Sequence, residues 1–330
     1  MIMNTKFLFL LLLPTYLMGQ SNKPLVLATA SIFADMAQEI GGDQIDVQSI
    51  VPIGGDPHIY EPVPSDAQRV FNADLILING LTFEGWINKL VQNSGTQAEI
   101  VLITKGIEPI RSQTYENATD PHAWMDAKKG LQYIQNIYEA LSKLIPKSDS
   151  LFKINYERYR SELLQLDEEI KSQISEISKE NRVLITSHDA FRYYGQRYGL
   201  QLESVLGTST DADVQTKDII RITELLSNTS VPSVFIESTI NPKLMQQIAK
   251  DNGVKIGGKL YADSLGDKDS PASTYLNMLR YNTQTIVKGL KGQRPSASND
   301  SVSYKSNSKY IIVAAIGLLL VLGFIFVKRK

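Results

Sequence analysis

Three histidines occur in the 330 residues, and each has an aspartate beside it in the chain. Two of them repeat one uncommon triplet, Asp56-Pro57-His58 and Asp120-Pro121-His122, in separate stretches that read as loops. The third stands in Ser187-His188-Asp189, at the end of an apolar run. Neutral imidazole suits divalent transition ions such as zinc, and a carboxylate adds a harder oxygen and one negative charge. Asp263, just past the apolar stretch 254–262, is the carboxylate best placed to join them. Pro57 and Pro121 restrict the backbone beside two of the donors. Two uses are open to Asp56, Asp120 and Asp189: orienting an imidazole through its second nitrogen, or capping turns. Trp124, two residues after His122, either shields the site or fills the core.

Alternating strands and helices must position these groups. In the first half, strands are expected over 24–28, 45–51, 75–78 and 100–103, with helices over 31–40, 65–72 and 84–92. The second half repeats the theme, with strands over 183–186, 202–206, 231–236 and 254–262. Helices are expected there over 216–226, 242–251 and 273–290. Such alternation implies an α/β fold with a parallel sheet in each half. Ligands of open α/β sheets bind beyond the carboxyl ends of the strands. His58, His188 and Asp263 all follow strands, and His122 precedes a helix expected from Ala127. Two facing crevices would therefore bring the four side chains together.

Between the halves, Phe152, Tyr156, Tyr159, Leu163, Leu166, Ile170, Ile174 and Ile177 recur at spacings of three and four. That stripe predicts a helix over 148–179, roughly 48 Å long at about 1.5 Å per residue. It serves either as a rigid backbone helix joining the lobes or as half of a coiled coil. The expected division is a signal peptide (1–19), a first lobe (20–147), the linking helix (148–180) and a second lobe (181–292). A Ser- and Asn-rich tether (293–309), a transmembrane helix (310–327) and a cytoplasmic tail (328–330) follow.

The ends carry the localisation reading. Lys6 precedes the apolar run 7–13, the layout of a secretory signal. Residues 310–327 are apolar or aromatic apart from glycine, and Lys328, Arg329 and Lys330 follow, favouring a cytoplasmic C-terminus. The absence of cysteine excludes disulfides and a lipid-bearing cysteine. Seven of the 34 basic residues and one of the 35 acidic ones lie outside 20–292, which leaves 27 and 34, a net of −7. That balance disfavours nucleic acid and suits cationic ligands.

At the residue level, a receptor, a surface adhesin or scaffold with a structural metal, and a zinc hydrolase all fit three histidines and an acid. Glu61 and Glu237 are the nearby candidates for a general base. Motifs narrow the choice. Gly55-Asp56-Pro57-His58-Ile59-Tyr60-Glu61-Pro62, Asp120-Pro121-His122-Ala123-Trp124 and Thr186-Ser187-His188-Asp189-Ala190-Phe191-Arg192-Tyr193-Tyr194-Gly195 occur in order. Phe235-Ile236-Glu237-Ser238 and Tyr261-Ala262-Asp263-Ser264-Leu265 complete the series. In these pieces the chain resembles the ZnuA/TroA-like zinc- and manganese-binding receptors of bacterial ABC importers. The resemblance implies two Rossmann-like lobes joined by one long helix, and one metal held between them by His58, His122, His188 and Asp263. It implies a monomeric extracytoplasmic protein, not an enzyme, that delivers Zn²⁺ or Mn²⁺ to an ABC permease. Histidine at the third ligand position is similar to the zinc-binding side of the family. The sequence departs from the family in having no histidine-rich loop, and in its expected C-terminal membrane helix.

Overall fold

Short apolar segments of the first half assemble into one parallel sheet. In this computed structural model, which describes residues 23–111 and 119–294, β1 (Leu25–Ala28) lies at its centre. β2 (Asp46–Ser49), β3 (Leu75–Ile78) and β4 (Glu99–Leu102) complete it in the order β2-β1-β3-β4. Val26 faces Val47 on one side and Leu75 on the other. Helices α1 (Ser31–Gly41), α2 (Pro64–Asn72) and α3 (Ile87–Ser94) connect the strands.

After α4 (Ala127–Leu144) and α5 (Asp149–Ser175) the pattern recurs. β5 (Val183–Thr186) pairs in parallel with β6 (Gln201–Ser204), and β7 (Ser233–Glu237) with β8 (Lys255–Leu260). α6 (Arg192–Tyr198), α7 (Thr216–Asn228) and α8 (Lys243–Asp251) connect these strands, and α9 (Tyr275–Leu290) closes the fold. Where one parallel sheet was expected, these are two separate two-stranded sheets, although β5 lies beside β7 and the spatial order β6-β5-β7-β8 parallels that of the first sheet. The β7–β8 register slips between Val234 and Phe235. A Cβ on Gly257 would stand 2.6 Å from the Phe235 ring, so glycine makes room for that ring between the sheet and α9.

The apolar stripe of α5 is used within the chain. Phe152, Tyr159, Leu163, Leu166, Ile170 and Ile174 are buried, and the helix packs on α1, α4 and α9. One continuous apolar core therefore runs through both halves. The helix is shorter than its periodicity suggested. The Arg182 guanidinium donates to the carbonyls of Ser175 and Ile177, at 3.0 and 2.9 Å, and satisfies groups that a further turn would have used. The expected start of α3 at Glu84 also moves, to Ile87. The Glu84 carboxylate accepts from the amides of Asn79 and Gly80 at 2.8 and 2.9 Å, which pins the preceding turn.

Arg294, which the sequence placed in the tether, donates to the carbonyls of Leu226, Thr229 and Asn252. The packed body thus extends through it. The expected signal peptide (1–19), the rest of the tether, the membrane helix (310–327) and the tail lie outside the described residues. Among the described residues no helix is long and apolar enough to cross a membrane.

Candidate metal centre

Each of the four expected donors sits on a loop fixed by its own hydrogen bonds. Asp56 accepts from the His58 amide at 2.9 Å, and the Trp86 indole donates to the Pro57 carbonyl at 2.8 Å. Asp120 Oδ1 accepts from the His122 amide at 2.9 Å and lies 2.8 Å from His122 Nδ1. The loop is held again by Asn79, whose amide group donates to the Pro121 carbonyl. His188 follows β5. Glu237, at the end of β7, accepts from its amide at 2.8 Å and lies 2.6 Å from its Nδ1. Asp263 follows β8. The Asn282 side chain grips both the amide and the carbonyl of Tyr261, and the Trp124 indole donates to the Ala262 carbonyl at 3.0 Å.

The four donors converge. One ligand atom from each of His58, His122, His188 and Asp263 lies within 4.8 Å of all the others. The Nε2 atoms of His58 and His122 are 3.3 Å apart. Asp263 Oδ1 is 3.3 Å from His122 Nε2, and Oδ2 is 3.2 Å from His188 Nε2. His122, His188 and Asp263 are wholly buried, and His58 is partly buried. Neither Asp263 oxygen has a hydrogen-bond partner of proper geometry. A buried carboxylate without donors is costly unless a cation meets it. Three imidazole nitrogens and a carboxylate oxygen this close together are the donor types and spacing of a ligand set.

Electrostatics agree. Burial opposes charge on His122, but Asp120 and Asp263 outweigh it and raise its pKa to about 9. Burial likewise opposes charge on His188, which Glu237 and Asp263 lift well above the usual imidazole value. Burial would raise Asp263, yet its two histidine neighbours hold it well below the carboxylate range. Burial is also the main cause that pushes His58 down to about 3. Without a cation, protons on His122 and His188 balance the acids. A cation held by these nitrogens would have to displace their protons, so its binding would strengthen as pH rises.

The whole body from β1 to α9 matches the sequence model of a family described as zinc-uptake complex component A periplasmic, ZnuA, over residues 26–289. The chain belongs to this family. It is 34% identical over 265 residues to the manganese-binding lipoprotein MntA of Halalkalibacterium halodurans, covering 80% of this chain and 88% of that protein. Among solved structures it is similar to the periplasmic zinc binding protein TroA from Treponema pallidum. The TM-score is 0.78 and the identity 30%, over 82% of this chain and 100% of that one. A Mn-bound periplasmic metal binding protein from Candidatus Liberibacter asiaticus gives 0.75 and 30%, over 81% and 100%.

Within this family fold, the neighbours of the histidines sort themselves out. Asp120 takes the imidazole-orienting place open to it. Asp56 instead holds backbone, and Asp189 does not reach an imidazole: its amide donates to the Gly207 carbonyl and its carboxylate lies 3.5 Å from Arg192 Nε. Glu237, named from sequence only as a candidate base, is the partner of His188. The signal was an acid ending the apolar strand Val234-Phe235-Ile236-Glu237. Glu61 is exposed. Trp124 fills both of its open uses. It is fully buried, its ring centroid lies 5.2 Å from that of His122, and with Phe83 at 4.9 Å it forms an apolar wall beside the site.

Proposed function

We propose that this chain is an extracytoplasmic receptor that captures one divalent transition ion between its lobes and delivers it to an ABC permease. His58, His122, His188 and Asp263 are the proposed ligands. The convergence of four donors, with neither Asp263 oxygen in a well-formed hydrogen bond, carries the reading. Three imidazoles and one carboxylate favour zinc over manganese at equilibrium, because nitrogen donors follow the Irving–Williams order. Relatives named for manganese mark that ion as the competitor.

A fourth protein ligand leaves no open position for a metal-bound water, and Glu237 is committed to His188. The receptor role of the family, rather than hydrolysis, follows. The proposed lobes are 20–147 and 181–292, joined by 148–180, with the packing of Arg294 supporting a second lobe that runs two residues further. The apolar run 310–327 with its basic tail supports a membrane anchor in place of the cysteine-borne lipid, since the sequence has no cysteine.

Metal analysis of the purified chain, with Zn²⁺ and Mn²⁺ in competition, tests the function. One equivalent of zinc should bind, resist manganese at equal concentration, and be lost in Asp263→Ala. Absence of stoichiometric metal in the unmodified chain would overturn the proposal.

A further inference from the structure

A loop of the second half reaches across the cleft to the loop that carries His58. Residues 205–215 join β6 to α7 without regular secondary structure. The base of this loop is tied to its own half, where the Asp189 amide donates to the Gly207 carbonyl at 3.0 Å. Its middle points the other way. The Thr210 hydroxyl donates to Asp56 Oδ2 at 2.6 Å, across 154 residues of sequence. The other oxygen of the same carboxylate accepts from the His58 amide. Among the described residues, this is the hydrogen bond that joins the 207–214 stretch to the first half.

From this juxtaposition we infer that Thr210 is a positioning residue, a latch that holds the His58 loop against the second lobe and slows metal release. The inference rests on the metal-capture reading above. Its logic is geometric. His58 is the least buried of the four donors, so release begins most easily on its side. Asp56 spans the two lobes by accepting a donor from each. A hydrogen bond to a carboxylate is stronger than one between neutral groups. A bond made only while the lobes are together stabilises the closed form alone, so it slows opening and leaves capture by the open form unchanged. Gly54, whose amide donates to Ser264 Oγ at 2.8 Å, ties the start of the same loop to the segment after Asp263. Thr210 supplies the tie at the other end, next to His58.

Zinc-loaded full-length chain, mixed rapidly with excess EDTA, gives the release rate. Thr210→Val keeps the shape and removes the hydroxyl. It should release zinc about tenfold faster and capture it no more slowly. Thr210→Ser keeps the hydroxyl and should restore slow release. Equal release rates for Thr210→Val and the unmodified chain overturn the latch. Amide hydrogen exchange on the metal-free chains separates this from failure of the metal reading. Thr210→Val should speed exchange at the His58 amide and leave amides within α5 unchanged. An unmodified chain that takes up no zinc sinks the metal reading, while unchanged exchange at His58 sinks the latch on its own.

Discussion

Asp263 and the three histidines act as a set because their partners restrict them. Glu237 matters most to His188, meeting both its amide and its Nδ1. With the Glu237 charge beside Nδ1, Nε2 is the nitrogen turned toward Asp263 and is the proposed donor to a cation. Glu237→Gln keeps the size and the amide contact but removes the charge that makes His188 a stronger donor. Zinc affinity should fall about 10- to 100-fold, the usual effect of losing a partner behind a ligand. Competition against a chelator of known affinity measures it, and an unchanged affinity would deny Glu237 that role. The convergence of the four proposed donors was legible in sequence, His58 and His122 by a local repeat, His188 and Asp263 by their places after apolar strands. Asp120 was legible for the same reason, two residues from His122. Glu237 was named only as a nearby acid and Thr210 not at all, because their partners lie 49 and 154 residues away and only the folded chain joins them.

Elements carry the site by packing, and one junction makes that packing depend on pH. Asp35 on α1 accepts from the Tyr275 amide, the first residue of α9, at 2.8 Å, and so caps a helix of the second half from the first. Burial raises its pKa from 3.8 to about 7; the Tyr275 amide opposes the rise and Glu39 adds to it. The unfolded carboxyl loses its proton near 3.8, whereas the folded one keeps it to about 7. The folded state therefore has the full benefit of this group at acid pH and loses it as pH climbs toward 7. A rise from 3.8 to about 7 corresponds to about 4 kcal/mol, and partial exposure reduces that to about 2 kcal/mol. Asp35→Asn retains an oxygen for the Tyr275 amide and cannot ionise. Urea midpoints should show it more stable than the unmodified chain by about 2 kcal/mol at pH 8 and equal to it at pH 4. Strand positions at this scale were readable from apolar runs, and the α5 stripe from its spacing. The end of α5 was not, because it depends on Arg182 reaching back to two carbonyls.

Across the whole molecule, the site and the core are separate sources of stability. The apolar core passes from the first sheet through α4, α5 and α9 to the second, and its members Phe83 and Trp124 lie edge-on beside His122. Within the site, the acids raise the pKa of His122 and His188 and the imidazoles lower that of Asp263, so each charge finds a partner without an ion. A receptor built this way should remain folded without its ion and gain only the free energy of binding. At a free metal concentration a thousandfold above Kd, that gain is about 4 kcal/mol. For a body of this size it raises the Tm by roughly 10 °C. Chelation should therefore lower the Tm by about that amount and leave the far-ultraviolet circular dichroism and the cooperativity of melting intact. A structural metal would behave differently, because chelation would then abolish the folded baseline itself. The size of the shift should also grow with zinc concentration, about 1.4 kcal/mol per decade, since a ligand that binds only the folded chain acts by mass action.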